Sequence, residues 1–317
     1  NQLMIYGAYG YAGELMVREA VAQRLRPIIA GRDAEKLKPI ATELSLECRA
    51  FGVRNTGSNL QDISVLLNCA GPFSATAEPL ARACLAQQIH YLDITGEIDI
   101  FRKCHALDEE ARQQNVLILP GAGTDIVPTD CLAAMLKEKL PVATRIDLAL
   151  SFGTNPSIGT VNTMIESFGK GGLIREGGML KVVSNAFQMR KIPFQNKPQW
   201  AMTIPWGDVF TSGISTGVPD GAVYMAMPRM SIYMIRLTNP VKGILNTQFG
   251  QKITKRLAGW LMKKGPDAKA LEAGRGQFWG EAEAPDGEKL EMTMSTPNVY
   301  ALTATVGIRI AQYCLDY

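Results

Sequence analysis

Two hydrophobic rhythms alternate along the first 125 residues. Short unbroken apolar runs occupy positions 3–6, 27–30, 46–51, 65–69, 91–94 and 116–119. Between most of them apolar residues fall at helical spacing, over 11–24, 34–43, 76–87 and 98–114. A strand covered on both faces carries no polar alternation, so the unbroken runs predict buried strands. Strand–helix alternation at this spacing predicts an α/β, doubly wound domain with a parallel sheet and right-handed crossovers. The second half reads differently. Positions 144–152 alternate as a strand from Ile146 onward, 161–168 read as a short helix, and 200–204, 222–227, 277–283 and 289–295 read as further strands. The segment "APDGEK" at 284–289 is a hairpin turn signal. Together these predict a second α+β domain on a mixed or antiparallel sheet, with one face open to a ligand. The apolar helical segment 298–315 is expected to return to the first sheet. The first domain is then discontinuous, 1–127 with 296–317, around a second domain at 128–295.

Ligands of parallel sheets bind beyond the carboxyl ends of the strands. Those ends are 7–13, 31–32, 70–73, 95–97 and 121–125, and every one carries glycine. In "MIYGAYGYAGELMVREA", Gly7, Gly10 and Gly13 stand between the first strand and the first helix. A helix N-terminus offers unpaired N–H groups and a positive dipole end, which suits a phosphate. Gly7 allows the tight turn, Gly10 lets a pyrophosphate approach the backbone, and Gly13 lets the helix pack on the strand. The cradle candidates are therefore Gly7, Ala8, Tyr9, Gly10, Tyr11, Ala12 and Gly13, in a G-x-x-G-x-x-G pattern with Ala8 where the commoner fingerprint has glycine. The simpler alternative is a tight turn without a ligand. At the end of the second strand an NAD site carries an acid, roughly 20 residues past the glycines. This chain has Ala30-Gly31-Arg32, and a guanidinium suits the 2′-phosphate of NADP. Asp33 is placed to cap the helix from Ala34. Lys36 and Arg54 are auxiliary phosphate candidates, with an ordinary solvated charge as the simpler reading. Ala70, Gly71, Pro72 and Phe73, and Thr95 with Gly96, complete the expected cofactor contacts.

Composition narrows the classes. The 317 residues are enough for two domains. Hydrophobic residues make up 46%, enough for a full core, and 20% are charged, too few for a disordered chain. The net charge of +3, from 33 basic and 30 acidic residues, argues against nucleic acid as the main partner. No apolar run reaches the length of a membrane span and no cleavable signal pattern is present. None of the six cysteines forms a C-x-x-C pair, which reads as reduced thiols in a cytoplasmic protein. With only His90 and His105 and no close Cys/His spacing, no metal site is expected.

The blocks "GAYGYAGE", "AGRDAEKL", "NCAGPF", "HYLDITGE" and "PGAGTDIVP" together resemble the NADP-binding part of saccharopine dehydrogenase-like oxidoreductases. Farther on, "NPSIGTVNTMIESFGKGG", "IPWGDVFTSGISTG", "VYMAMP" and "STPNVYALTA" resemble the branch that includes trans-acting enoyl reductases of lipid biosynthesis. The resemblance implies a Rossmann domain, a second domain around a mixed sheet, and NADP. It does not fix a substrate, and no arginine cluster for an amino-dicarboxylate stands out.

Hydride transfer is the cofactor's chemistry, with the protein supplying orientation and a proton. Asp93, Glu97 and Asp125 are the catalytic candidates, with Tyr91 beside them. Capping or loop bracing is the competing reading for Asp93 and Asp125, and His90 reads as structural. The substrate, expected to be an apolar small molecule, is expected between the two domains. Its floor would be 70–73 and 95–97. Its far wall would include Ser151, Phe152, Asn155, Ser157, Ile158, Thr160, Trp206, Asp208 and Tyr224, with shaping a loop the equal alternative for Ser151, Asn155, Ser157, Thr160, Trp206, Asp208 and Tyr224. The segment "QKITKRLAGWLMKKG", 251–265, places Ile253, Leu257, Trp260 and Leu261 on one face among five basic residues. That pattern fits an interfacial helix and fits better a surface helix packed on its own domain. A homodimer is compatible with the chain. Three readings remain: an NADP(H) oxidoreductase acting on an apolar carbonyl or enoyl substrate, a saccharopine-type amino-acid dehydrogenase, and a non-catalytic NADP-binding sensor or scaffold.

Overall fold

In a computed structural model, residues 2–152, 171–237, 239–241, 247 and 274–316 are described. The candidates Asn155, Ser157, Ile158 and Thr160, the expected helix at 161–168 and the basic segment 251–265 lie outside these residues. The chain divides into two compact units, 1–125 with 300–317, and 126–299.

The first unit carries six parallel strands: β1 (Leu3–Tyr6), β2 (Ile28–Gly31), β3 (Cys48–Ala50), β4 (Val65–Asn68), β5 (His90–Asp93) and β6 (Ile118–Leu119), in the order β3-β2-β1-β4-β5-β6. Crossovers run through α1 (Tyr11–Ala22), α2 (Ala34–Leu44), α3 (Phe73–Ala86), α4 (Ile98–His105) and α5 (Asp108–Gln113). Alternate residues of the central strands enter two cores. Leu3, Ile5, Ile29, Val65 and Leu67 pack with Met16, Ala20 and Leu37 of α1 and α2. Met4, Tyr6, Leu66 and Tyr91 pack with Leu80, Cys84 and Ile100 of α3 and α4. The C-terminal helix Val299–Asp316 adds Ala304, Ile308, Ala311 and Cys314 to the first of these cores.

Two expectations change. β3 is not covered on both faces, because it lies at the sheet edge, where only one neighbour and one face shield it. The helix expected over 98–114 breaks at Ala106 and Leu107, where Leu107 leaves helical geometry (φ −95°, ψ 1°) and turns into the core.

The second unit is built on an eight-stranded sheet. Its strands are β7 (Arg145–Ser151), β8 (Gly172–Glu176), β9 (Met179–Val183), β10 (Met189–Pro193), β11 (Pro198–Thr203), β12 (Asp220–Ala226), β13 (Gly276–Glu283) and β14 (Lys289–Thr296). The path is β10-β11-β12-β7-β13-β14, with β8 and β9 branching from β12. β12 and β7 are parallel and the other pairs are antiparallel, so the sheet is mixed. Helices α6 (Val127–Lys139), α7 (Asp208–Thr216) and α8 (Arg229–Leu237) and a 3-10 turn (Asn239–Val241) accompany the sheet. The hairpin at 284–289 closes as its sequence predicts: Gly287 takes φ +90° and donates to the Ala284 carbonyl at 3.0 Å. α6 lies close on one face, where a Cβ at Gly280 would stand 2.6 Å from Leu136 Cδ1.

The opposite face is not open at its centre. Ala149, Tyr224 and Trp279 are buried there with Ile174, Ile192 and Phe194. Beside them Arg190 bonds both Glu281 oxygens at 3.1 Å and lies over the Trp279 ring at 4.6 Å. Burial of so many charges is tolerable only because each carboxylate has a cation, Arg190 on Glu281 and Arg145 on Asp147 at 2.8 Å.

Candidate nucleotide site

The strand order reverses between β1 and β4, so the loops after these two strands part and leave a crevice at their carboxyl ends. The three glycines after β1 answer to different constraints. Gly7 takes φ +87°, and a Cβ on it would stand 2.7 Å from the Ala70 nitrogen. A Cβ on Gly13 would stand 2.2 Å from the Gly7 carbonyl oxygen. Gly10 is different: its φ −78° and ψ 159° suit any residue, and a Cβ would meet nothing nearer than the Gly7 oxygen at 3.2 Å. The fold forbids a Cβ at 7 and 13, and at 10 a Cβ would require the Gly7 carbonyl to yield by a few tenths of an ångström. The N–H groups of Gly7 and Ala8 donate to the Ala30 carbonyl at 2.7 and 3.2 Å, which ties the turn to the end of β2.

Helix α1 begins here without a side-chain cap, and α3 begins after β4 likewise. By contrast, Asp33 caps α2, accepting from the Glu35 and Lys36 N–H groups at 3.1 and 3.3 Å. Two helix N-termini without side-chain caps thus flank the crevice, and their first-turn amides suit a pyrophosphate. Ala8 is buried, Tyr9 and Ala12 are half-buried, and the Tyr11 ring meets Tyr300 edge-on at 5.2 Å. The Tyr9 ring covers Gly31, where a Cβ would stand 2.6 Å from Tyr9 Cε1. Arg32 follows directly and is exposed, with no hydrogen bond or ion pair among the described residues. Lys36 pairs with Asp33 at 3.5 Å and lies 5.7 Å from the Tyr9 ring centre. Arg54 is exposed on the loop after β3. Gly71 and Pro72 are exposed at the end of β4, with Ala70 and Phe73 half-buried beside them.

Of the catalytic candidates, Asp93 is fully buried and bonded within the protein. It accepts from the Thr95 and Gly121 N–H groups at 3.0 Å each and from the Tyr91 hydroxyl at 2.8 Å. Burial pushes its carboxyl up to about 6, against the lowering by those three bonds. Glu97 is half-buried at the start of α4, and its N–H donates to Thr95 Oγ1 at 3.1 Å. Gly96, between them, is buried. Asp125 keeps part of its surface, while burial pushes its carboxyl up to about 7. His90 is structural: its Nδ1 accepts from the Leu117 N–H at 3.0 Å.

In the second unit Ser151, Trp206, Asp208 and Tyr224 are all buried. Ser151 bonds Gln199 at 3.4 Å, Asp208 accepts from Thr129 at 2.7 Å, Tyr224 bonds Gln188, and Trp206 packs on Phe152 at 6.3 Å. These side chains hold their own unit together. Asn68, not among the residues the sequence singles out, bonds Tyr91 and pairs in register with Asp93. The signal was present: "LLNCAG" and "YLDITG" both end an apolar run on a polar residue just ahead of a glycine turn.

Residues 3–119 match the family model described as the saccharopine dehydrogenase NADP binding domain. This segment is a saccharopine dehydrogenase-type NADP-binding domain. A saccharopine dehydrogenase-like oxidoreductase of Rattus norvegicus is 26% identical over 231 residues, which cover 64% of this chain and 53% of the relative. A Mycobacterium tuberculosis protein provisionally named a trans-acting enoyl reductase is 28% identical over 206 residues, 58% of this chain and 44% of its own length. The chain spans about half the length of these curated relatives. In fold it is similar to the saccharopine dehydrogenase (L-Glu forming) of Saccharomyces cerevisiae, with TM-score 0.66, 9% identity, and coverage of 99% of this chain and 91% of the yeast one. The NADP-binding domain therefore carries the Rossmann sheet, and the glycine turn after its first strand fits a dinucleotide on steric grounds. Among the described residues, no helix is long and apolar enough to cross a membrane.

Proposed function

We propose that the chain is an NADP(H)-dependent oxidoreductase transferring hydride to or from an apolar carbonyl or enoyl substrate. The observation that carries the reading is Gly10. Its φ and ψ suit any residue, and a side chain there would press only the Gly7 carbonyl oxygen, at 3.2 Å, while narrowing the path of a ligand to the backbone. Gly7 to Gly13 and the α1 N-terminus hold the pyrophosphate. Arg32, exposed at the end of β2, takes the 2′-phosphate, with Lys36 beside it. Ala70 to Phe73 and Thr95 with Gly96 bound the nicotinamide half. The bound dinucleotide supplies the hydride. Asp125, at the carboxyl end of the sheet and with its carboxyl pushed up to about 7 by burial, is the proton-donor candidate, with Glu97 the second.

An apolar substrate is favoured over an amino-dicarboxylate by three arginines of the second unit that are engaged within it. Arg145 and Arg190 pair with Asp147 and Glu281, and buried Arg175 donates to the Val218 and Val209 carbonyls. The mycobacterial relative's name agrees with an enoyl substrate. A cytoplasmic location is favoured by six free cysteines, four of them buried. NADPH oxidation is to be screened over carbonyl, enoyl and imine substrates. Turnover with an apolar carbonyl or enoyl compound is expected. Turnover confined to amino-acid imines establishes the amino-acid dehydrogenase reading, and tight binding without turnover on any class establishes the sensor reading.

A further inference from the structure

One buried network joins the ends of β4, β5 and β6, and its hydrogen bonds have a fixed direction. Asn68 and Asp93 are register partners on β4 and β5 and are fully buried. Asn68 Oδ1 accepts from the Ala70 N–H at 3.0 Å, so its Nδ2 faces the other way and donates to the Tyr91 hydroxyl at 3.1 Å. The single Tyr91 proton therefore points onward, to Asp93 Oδ2 at 2.8 Å. Asp93 Oδ1 accepts from the Thr95 and Gly121 N–H groups, and its backbone carbonyl accepts from the Ala122 N–H at 2.6 Å. Each bond in the series holds one loop: 70–73 through Asn68, 95–97 and 121–123 through Asp93.

The direction matters because it requires a carboxylate at its end. If Asp93 is protonated on Oδ2, it must donate to Tyr91, whose own proton then faces the Asn68 amide, a donor that also bonds Thr76 Oγ1 at 3.2 Å. Asn68 is held against turning over by the Ala70 N–H on its oxygen. A protonated Asp93 thus sets two buried donors against each other, which weakens the tie between the loops. In a Rossmann sheet one mononucleotide half, here β1 to β3 with Arg32, faces the adenosine. The other half, β4 to β6, faces the nicotinamide, and its three loops are the ones this network ties.

We propose that Asp93 is a positioning residue whose ionised carboxylate, reached through Asn68 and Tyr91, sets the loops that receive the nicotinamide half of NADP(H). The inference rests on the nucleotide-site reading above. It gives Asp93 a role other than proton donor, since both of its carboxylate oxygens are already bonded within the protein, to Tyr91 and to the Thr95 and Gly121 N–H groups.

The groups facing Asp93 are Tyr91 from β5, Cys69 from the end of β4 and Cys104 from α4. Burial raises all three, Cys104 to about 12, so they stay neutral while Asp93 titrates. With the Asp93 carboxyl at about 6, the network fails as the pH drops through that value. Fold stability moves the other way. A carboxyl raised above its ordinary value of about 4 binds a proton more readily in the folded chain. Its contribution to stability is thus greatest below about 4 and is lost as the pH rises through about 6. Weakened binding near pH 5 is therefore not acid unfolding driven by this group.

The test measures the affinities of NADPH and of 2′-phospho-ADP-ribose between pH 5 and 8. That analogue keeps the 2′-phosphate and the pyrophosphate diester and lacks only the nicotinamide. Dividing the two affinities cancels the titration of the 2′-phosphate, whose second pKa is about 6 and which both ligands carry. In the wild type the ratio is expected to fall at least about tenfold from pH 7.5 to pH 5, the loss of one strong hydrogen-bond link. Asp93→Asn should lower the ratio at pH 7.5 and remove its pH dependence. Adding Asn68→Asp restores an acceptor for the Tyr91 proton with the chain reversed, and should recover the ratio and its acid break. Should the variants not fold, the wild-type profile alone decides. A flat ratio in a wild type that binds both ligands overturns this inference and leaves the nucleotide-site reading standing. An Asp93→Asn ratio equal to the wild type's at every pH does the same. Failure of both ligands to bind at any pH overturns the nucleotide-site reading, and this inference with it.

Discussion

At the scale of the residue, identical letters serve unlike ends. Gly7, Gly10 and Gly13 stand at equal spacing, yet only two are required by the fold. Gly13→Ala places a methyl 2.2 Å from a carbonyl oxygen. It should destabilise the first unit by at least about 1–3 kcal/mol, read as a lower urea midpoint. Gly10→Ala has an ordinary backbone and meets only a 3.2 Å neighbour. It should lower the midpoint far less than Gly13→Ala does and lose NADPH affinity by about one to two decades, as one charge-assisted phosphate contact is displaced. Equal losses of stability in the two variants would mean that Gly10 serves the fold. The spacing was legible in the sequence, but this division of labour was not, because it depends on φ and on where the Gly7 carbonyl points. Asp93 is the same lesson with a polar group. Its place after an apolar strand marked it as important, and only its bonds to Thr95, Gly121 and Tyr91 separate bracing from chemistry.

At the scale of the element, unbroken apolar runs located the central strands because both faces are covered. β1, β2 and β4 are buried at every position. The reading weakened wherever that cover is missing. β3 has exposed residues at the edge, and β9, with Met179 and Val182 exposed, shows no contrast between faces from which a strand could be read. Leu107 kept helical spacing to apolar eyes while its backbone left the helix. The capping signal proved reliable. Asp33 accepts two first-turn N–H groups of α2, so Asp33→Ala should cost about 0.5–2 kcal/mol in a denaturant titration. α1 has no such side chain, and the same substitution logic finds nothing to remove there. On the proposed function NADPH binds at this helix start, so it is expected to raise the unfolding midpoint of the wild type in proportion to the logarithm of its concentration.

At the scale of the whole molecule, the chain leaves its first unit at 125 and returns at 300. The returning helix is structural to the nucleotide-binding sheet: Ile308 is fully buried, and Gly307 lets Met16 Cε come within 2.7 Å of where a Cβ would stand. Ile308→Ala should cost about 2–5 kcal/mol and lower NADPH affinity only as far as it unfolds the first unit. The apolar character of segment 298–315 made that return legible. The interior of the second sheet was not, since Tyr224, Trp279, Arg190 and Glu281 come together only through strand register. The account as a whole turns on the far end of the crevice, where an exposed arginine stands in place of an acid. The affinities of NADPH and NADH, measured side by side in the wild type and in Arg32→Ala, test it most directly. One charge-assisted phosphate contact, about 1.5–3 kcal/mol, predicts NADPH tighter by about one to two decades in the wild type. In Arg32→Ala most of that preference should vanish while NADH affinity holds. Equal affinity for the two cofactors in the wild type, or an equal loss of both in the variant, would contradict it.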